Sequence, residues 1–194
     1  INWIAGYNSA ATSPISLCSA WIYKFQNQTP AYANWSAVGQ NGSLLSGQGY
    51  TMKGSDAEGA TQNYTFVGKP NNGTITLPIA ANNLNLCGNP YPSALDANDF
   101  INANLSSTTG SIYLWEHFTT NTTHNLADYQ GGYATYNLLA SASPISPTGV
   151  SGLGTSNRYP NRYLPVGQGF MVYGSATGGA ITFDNSQRNF KKED

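Results

Sequence analysis

One segment occurs twice in this chain, and the repetition limits the possible folds more than any other feature of the sequence. Residues 45–54 read LSGQGYTMKG, and residues 166–174 read VGQGFMVYG. Each copy places a Gly-Gln-Gly turn before a short alternating run that closes with glycine, and each leads into a second short run, residues 63–66 or 180–183. Turns and runs in this order are typical of β-hairpins, so the sequence predicts one hairpin in two copies.

Other segments recur in the same order, which extends the repeat over most of the chain. The matching pairs are residues 2–9 with 85–93 and residues 21–25 with 111–118. Because three matches in one order are improbable by chance, we expect two related halves, residues 1–80 and 81–194, which form either two units or one compact unit. The predicted fold is therefore all-β, with two similar antiparallel β halves packed as a sandwich or as a pseudo-symmetric pair.

Two stretches depart from the strand pattern. Ser93 stands three residues before Asp96 and follows Pro-Tyr-Pro, and a hydroxyl so spaced from a carboxylate marks a helix start. We therefore expect one short helix near residues 93–102. Residues 140–165 contain several prolines and glycines and have almost no periodic pattern, so the sequence predicts a long loop there.

The chain carries unusually few charges, and this bears on its habitat. Charged residues make up 9% of it, against about 25% in an ordinary soluble domain. The net charge is -1 without any basic stripe, which argues against a nucleic-acid partner, and no apolar run approaches the roughly 18 residues of a membrane span. A neutral coat of amides and hydroxyls is common in secreted β-proteins. We expect an extracellular or cell-surface location and a mature form or excised domain from which any export signal has been removed.

The cysteines and histidines give little sign of a metal or catalytic centre. Cys18 and Cys87 have no Cys-x-x-Cys spacing, which argues against zinc, and they are equally consistent with one disulfide and with two buried thiols. His117 and His124 are the only imidazoles, and there is no Gly-x-Ser-x-Gly elbow. We therefore predict no catalytic residue and no enzyme activity.

A lyase or hydrolase is the least favoured interpretation of the sequence. It would require a deep cleft holding one of the two histidines. The basic and aromatic residues that could assist are Arg158, Tyr159 and Arg162 in the predicted loop.

One acidic segment offers oxygen ligands close together. Asp96, Asn98 and Asp99 are ligand types that extracellular modules use for weak calcium binding. The glycine and distant glutamate of an EF-hand loop are missing. A structural calcium ion at these three residues is a possible addition to a protein otherwise expected to have no cofactor.

The aromatic residues carry the strongest functional signal. The chain has 13 Tyr and four Trp, and flat rings beside amides and hydroxyls are what a carbohydrate face requires. Trp3, Trp21 and Trp115 lie in repeat-matched strands and are expected in the core. Six other aromatic residues are expected to be available for binding a sugar or a protein, namely Trp35, Tyr129, Tyr133, Tyr136, Tyr159 and Tyr163.

A distinctive motif lies at residues 87–96, which read CGNPYPSALD, with a Gly-Asn-Pro-Tyr-Pro-Ser core before an acidic helix start. Together with the two Gly-Gln-Gly-aromatic hairpins and residues 66–73 and 181–188, it resembles the repeated β-rich region of large surface and secreted Bacteroidota proteins. That region lies upstream of the sorting domain used by type IX secretion. The resemblance covers most of the chain and implies export, display at the cell surface and a longer parent polypeptide. It implies no catalytic residue.

These features together predict a non-enzymatic extracellular module that serves in adhesion or as a structural spacer within a larger secreted protein. The alternative is a carbohydrate-binding module of a secreted polysaccharide-degrading enzyme. In either case the expected partners are an extracellular protein or glycan and neighbouring domains of the same polypeptide.

Overall fold

A computed structural model describes residues 2–4, 16–54, 64, 66–118, 123 and 125–192. The fold is all-β, as the sequence predicts, with strands in several small sheets and one α-helix among the described residues. The strands are β1 (Asn2–Ile4), β2 (Ser16–Cys18), β3 (Tyr23–Lys24), β4 (Ser36–Ala37), β5 (Ile75–Ile79), β6 (Leu84–Gly88), β7 (Ala94–Asp96), β8 (Thr108–His117), β9 (Gly131–Asn137), β10 (Ser141–Ile145), β11 (Tyr163–Leu164), β12 (Gly169–Gly174), β13 (Gly179–Phe183) and β14 (Arg188–Asn189). The helix α1 is Ala97–Asn104.

The central sheet has five strands in the order β10-β9-β8-β12-β6, and every neighbouring pair is antiparallel. Smaller sheets pair β5 with β13, β3 with β4, and β7 with both β11 and β14. Pairing is antiparallel in these sheets too, whereas β1 and β2 run parallel. The parallel pair departs from the antiparallel halves expected from the sequence.

Alternation along the strands gives the central sheet two different faces. The inner face carries Cys87, Ile112, Phe170 and Val172, which pack against α1 and the β5–β13 pair. Phe100 of α1 contacts this face, with 5.2 Å between its ring centroid and that of Phe170. The main core therefore lies between the inner face and the layer formed by α1, β5 and β13.

The outer face is partly covered by residues 25–35, which we call the N-terminal segment. Phe25, Leu86 and Met171 form a second, smaller buried cluster there. The backbone of Gln28 exchanges two hydrogen bonds with that of Leu84 in β6, so the segment also protects this edge of the central sheet. The remainder of the outer face carries the candidate site described below.

The Gly-Gln-Gly turn has the same backbone in both copies. Gln48 N–H donates to the Leu45 carbonyl at 3.0 Å, and Gln168 N–H donates to the Pro165 carbonyl at 3.2 Å. The glycine before each glutamine has a positive φ, 89° at Gly47 and 74° in the second copy, which glycine adopts at little cost. The repeated turn is confirmed.

The strand after the turn forms in the second copy, as β12, but not in the first. There, Gln48 and Thr51 make only isolated bridges, to Cys87 and Tyr23. The Thr51 hydroxyl accepts from Tyr23 N–H at 3.2 Å and donates to the Trp21 carbonyl at 3.1 Å. These side-chain hydrogen bonds replace some of the backbone hydrogen bonds that a regular strand pair would make. The second run follows as predicted in β13, while residues 63 and 65 of the first copy lie outside the described part of the chain.

Repeat-equivalent residues have equivalent neighbours, although the two halves also interlock. Tyr23 lies between Thr51 and Ala37, and the matching Tyr113 lies between Met171 and Thr135. However, β5 of the first half pairs along its whole length with β13 of the second. The division into residues 1–80 and 81–194 stays a prediction.

The helix begins later than residue 93. Asp96 caps it, accepting a hydrogen bond from Asn98 N–H at 3.0 Å. Residues 94–96 are held as strand β7 between β11 and β14, which prevents a helix from starting at Ser93. The Ser93 hydroxyl instead accepts from Arg188 Nε at 3.2 Å.

The predicted loop at residues 140–165 contains strands β10 and β11. Asn137 turns the chain back, because its side-chain oxygen accepts from the N–H groups of Leu139 and Ala140, each at 2.9 Å. Pro144 breaks the sequence pattern of a strand but is tolerated because β10 is the edge of the central sheet. The prediction of a long loop is therefore wrong at residues 141–145 and 163–164, where strands form, and correct between them.

Cys18 and Cys87 are buried thiols and form no disulfide. Burial raises the pKa of the Cys87 thiol, which keeps it protonated. Within the described residues, no helix is long and apolar enough to cross a membrane.

Candidate ligand-binding surface

Four rings meet on the outer face of the central sheet and form what we call the outer aromatic cluster: Trp115, His117, Tyr129 and Tyr133. The Trp115 and Tyr129 rings are nearly parallel, with an interplanar angle of 7° and 5.6 Å between centroids. Tyr133 meets Trp115 edge-on at 4.9 Å, and His117 meets Tyr129 edge-on at 5.5 Å. These are favourable geometries for aromatic pairs.

Strand register explains why these rings meet. Trp115 and His117 are two residues apart in β8 and so share a face, while Tyr133 stands opposite Trp115 in β9. Gly131, opposite His117, leaves room for the indole, because a Cβ there would overlap the Trp115 ring. Tyr129 comes from the loop that joins the two strands.

Two aromatic residues of the N-terminal segment lie beside the cluster. Trp35 packs edge-on against Phe25, with 5.2 Å between centroids, and contacts the same small buried cluster as Tyr133. Tyr32 is 63% exposed and lies near enough to Tyr129 to influence its hydroxyl. The aromatic surface therefore draws on β8, β9, their connecting loop and the N-terminal segment.

The tyrosine hydroxyls of the cluster stay protonated well above neutral pH. Burial raises the pKa of Tyr133 to about 12, with a further contribution from Tyr129. Burial also raises the pKa of Tyr129, which the nearby Trp115 indole lowers and Tyr32 raises. Both hydroxyls remain available as hydrogen-bond donors.

Trp115 has an unusual feature for a buried polar group. Its indole Nε1 is inaccessible to solvent and has no hydrogen-bond partner of ordinary geometry, a state found at no other buried side-chain N or O among the described residues. The Trp115 indole acts on the Tyr129 hydroxyl as a hydrogen-bond donor and lowers its pKa, although the geometry of the pair lies outside the ordinary hydrogen-bond range. Buried donors are nearly always paired, so an unpaired one calls for an explanation.

The structure brings together three of the six aromatic residues predicted to bind a ligand and separates the others. Trp35, Tyr129 and Tyr133 lie on the outer face. Tyr136 packs against the main core on the opposite face and donates to Asn98 Oδ1 at 2.8 Å. The remaining two are Tyr159, which is 60% exposed in a loop, and Tyr163, which is paired in β11.

The residues predicted to bind calcium already have partners. Both carboxylate oxygens of Asp96 accept from Arg162, at distances of 2.7 to 2.9 Å. Asp96 also caps α1, while Asn98 accepts from Tyr136. No group of three or more His, Cys, Asp or Glu among the described residues is arranged to hold a metal ion. Calcium here would have to displace the guanidinium, and its binding stays a prediction.

The residues considered for catalysis lie on opposite faces of the central sheet. His117 belongs to the outer aromatic cluster. Arg158 pairs with Glu116, whose strand position faces inward, and Arg162 pairs with Asp96. His124 lies outside the described residues.

The Gly-Asn-Pro-Tyr-Pro-Ser motif holds chain segments together. Asn89 is buried, and its amide donates to the carbonyls of Ser93 at 2.8 Å and Pro165 at 3.0 Å. Its side-chain oxygen accepts from Tyr91 N–H at 3.1 Å. The buried Tyr91 hydroxyl donates to the Gly73 carbonyl at 2.7 Å. The motif therefore joins three loops.

Sequence reasoning assigned Trp115 to the core and did not select Tyr32 or His117 as binding residues. A signal was available for one of them, since His117 follows Trp115 by two residues in a predicted strand and must share its face. No local pattern reveals that Tyr32 lies near enough to influence Tyr129, almost 100 positions later in the chain.

The fold and this surface define a mostly antiparallel β domain with a ring-lined outer face. Residues 3–194 match a family described as a domain of unknown function, DUF8693, and the chain belongs to that family. No curated protein and no solved structure matches it.

Proposed function

We propose that this chain is a non-enzymatic extracellular module of a larger surface protein, and that it works in adhesion through the outer aromatic cluster. One observation carries the proposal: four rings contact one another on a sheet face that lies outside the main core. Large aromatic side chains at a surface often dominate binding energy. The partner is an extracellular protein or a glycan.

The composition supports the same proposal. With 9% charged residues, the chain depends on amides and hydroxyls for its polar surface. Such groups hydrogen-bond a partner without the cost of desolvating charges. The resemblance to Bacteroidota surface proteins is the basis for proposing export and display by type IX secretion.

The test is a pull-down with the intact chain against cell surfaces, extracellular proteins and glycans, with captured material examined for cleavage. Saturable capture of an unaltered partner is the expected result. Cleavage or chemical change of the partner would mean that the chain is an enzyme and would refute the proposal. Surface proteolysis of cells that make the parent protein tests export, which predicts that the module is accessible to added protease.

A second candidate is a carbohydrate-binding module of a secreted polysaccharide-degrading enzyme. It is favoured by the position of Trp35, Tyr129 and Tyr133, three predicted sugar-binding residues that lie on one face. Replacing Trp35 with Ala should then abolish retention on an insoluble polysaccharide while the domain stays folded. Because Trp35 also packs on Phe25, the more exposed Tyr32→Ala serves as a second variant.

A further inference from the structure

A chemical modification of the chain goes beyond the proposed binding function and does not depend on it. The sequence contains two Asn-Gly pairs, Asn41-Gly42 and Asn72-Gly73. We propose that Asn41 is a site of spontaneous deamidation in the folded protein, and that hydrogen bonds made by the fold protect Asn72. The reaction needs no enzyme, and its only co-reactant is water.

Deamidation at an Asn-Gly pair begins at the backbone nitrogen of the glycine. This nitrogen gives its proton to a base in the solvent and attacks the carbonyl carbon of the Asn side chain. The new C–N bond displaces ammonia and closes a succinimide ring. Water then opens either C–N bond of the ring to the former side-chain or main-chain carbonyl, which gives aspartate or isoaspartate. The net reaction consumes one water and releases one ammonia, without oxidation or reduction.

Glycine favours this reaction because it has no Cβ to hinder the approach of its nitrogen or to restrict its backbone. Asn41 and Gly42 are both exposed, so solvent base and water reach them. Among the residues that the structure describes, none bonds to the Asn41 side chain and none accepts a hydrogen bond from Gly42 N–H. The attacking nitrogen and the amide that it attacks are therefore both free to react.

The second pair is held by three hydrogen bonds. Gly73 N–H donates to Asn185 Oδ1 at 3.0 Å. The side-chain oxygen of Asn72 accepts from Asn185 Nδ2 and from Arg188 Nη1, each at 3.1 Å. Ring closure must break the first bond to release the glycine nitrogen, and the other two oppose rotation of the Asn72 side chain. Asn72 is exposed too, so the difference between the pairs lies in their hydrogen bonds and not in access to water.

The modification changes the charge of the molecule. One neutral amide becomes a carboxylate, which moves the formal net charge at pH 7 from -1 to -2. Asn41 lies in the turn that follows β4, outside every sheet. The modified protein is therefore expected as a more acidic form that keeps its fold.

The test is incubation of the intact chain at physiological temperature in mildly alkaline buffer, followed by peptide mapping with electron-transfer fragmentation. This method distinguishes asparagine, aspartate and isoaspartate at each position. Asn41 should react at least about tenfold faster than Asn72, the factor that three hydrogen bonds give at the low end of their ordinary strength. In guanidinium chloride, where these bonds are lost, the two pairs should react at similar rates.

Two variants test the assignment residue by residue. Asn185→Ala, at an exposed position, removes two of the three bonds and should speed the reaction at Asn72 by about fivefold or more, with the rate at Asn41 unchanged. Asn41→Gln prevents closure of the five-membered ring and should abolish the acidic form without altering Asn72. Thermal unfolding shows whether Asn185→Ala is folded, and the comparison of folded with denatured wild type decides the question alone if it is not.

Equal rates at Asn41 and Asn72 in the folded wild type would overturn the proposal. Reaction at Asn41 only after denaturation would equally overturn it, as would an unchanged rate at Asn72 in a folded Asn185→Ala variant. All of these outcomes are read from the free protein. They are therefore distinct from a failure of the proposed adhesion function, which is measured by capture of a partner.

Discussion

Gly49 and Gly169 occupy the same position in the two copies of the repeat, yet only one of them is required by close packing. A Cβ on Gly49 would overlap the Cys87 carbonyl and come within 2.8 Å of the Leu86 side chain. A Cβ on Gly169 would find its nearest atom, the same carbonyl, at an ordinary contact distance of 3.7 Å. The same position of the motif is therefore closely packed in the first copy and has room for a Cβ in the second.

The glycine pair gives a prediction with its own control. Gly49→Ala should lower the free energy of unfolding by about 1–3 kcal/mol, because the neighbouring backbone cannot move aside easily. Gly169→Ala should change it by less than about 1 kcal/mol, since reduced flexibility of the unfolded chain offsets small strain. Urea denaturation of both variants checks this, and equal losses would contradict the account.

The candidate site shows how far single residues can be assigned from sequence. Tyr129 and Tyr133 were recognisable as candidates because they lie outside the repeat-matched strands. Tyr136 looked equivalent to Tyr133, but the two are separated by three positions in β9 and therefore face opposite sides of the sheet. Which side is the core depends on pairing with distant strands, and a one-residue change of register would exchange the two faces.

At the scale of elements, polar side chains fix several of the turns that connect strands. Asn89 ties the end of β6 to the loop between β11 and β12, and Asp184 caps the short 3-10 helix Asn185–Gln187 after β13. Such bonds satisfy backbone groups that strands leave unpaired at their ends. The position of the loop before β12 therefore depends on the Asn89 amide, and the 3-10 helix depends on the Asp184 carboxylate.

Asn89→Ala should lower the free energy of unfolding by about 2–4 kcal/mol, because carbonyls in a buried region lose their donor and Tyr91 N–H loses its acceptor. Asn102→Ala, on the exposed side of α1, is the matched control and should stay within about 0.5 kcal/mol of the wild type. Chemical denaturation followed by circular dichroism measures both. A loss at Asn89 no larger than at Asn102 would show that the motif is not structural.

The cap at Asp184 predicts a specific acid sensitivity. Hydrogen bonds from Ser186 N–H and the Thr74 hydroxyl hold the pKa of Asp184 below its ordinary value of 3.8. Its stabilising contribution is therefore complete above that ordinary pKa and is lost as the pH falls through the lower, folded value. Asp184→Asn should show a shallower decline of unfolding free energy across this acidic range.

Thr74→Val removes one of the hydrogen-bond donors to Asp184 and should move the pH dependence part of the way towards that of Asp184→Asn. Urea midpoints measured from pH 5 downwards test both variants. Identical pH profiles for the wild type and Asp184→Asn would rule out this role of the cap.

Elements differed in how well the sequence predicted them. The second hairpin was predictable because β12 and β13 combine β-forming residues with glycine turns. Strand β10 was not, because Ser-Ala-Ser-Pro-Ile lacks that signal and becomes a strand only through pairing with β9. The predicted helix start at Ser93 was wrong for the same reason. Residues 94–96 pair with β11 and β14, this pairing outweighs the local capping pattern, and Asp96 becomes the N-cap.

At the scale of the whole molecule, the two predicted halves share one core. Leu77 and Ile79 of β5 pack with Ile181 and Phe183 of β13 in the main core. The N-terminal segment also covers the edge of β6, which belongs to the second half. Halves whose strands pair with each other in this way are expected to fold together.

Expression of residues 1–80 and 81–194 as separate chains tests this interdependence. The second chain alone should lack the β5 side of its core and should bind a hydrophobic dye or aggregate. Mixing or co-expressing the two chains should restore a cooperative unfolding transition, and the two should copurify. Two independent cooperative transitions would show instead that each half is a domain of its own.

The central claim is that the outer aromatic cluster is the binding surface, and one measurement tests it most directly. The intact chain is screened against glycans and extracellular proteins beside two variants, Tyr32→Ala combined with His117→Ala, and Leu139→Ala at a remote residue that is 96% exposed. The account predicts saturable binding of an unaltered ligand by the wild type and by Leu139→Ala, and a loss of roughly tenfold or more in the double variant. A double variant that binds the same ligand as tightly as the wild type would contradict it.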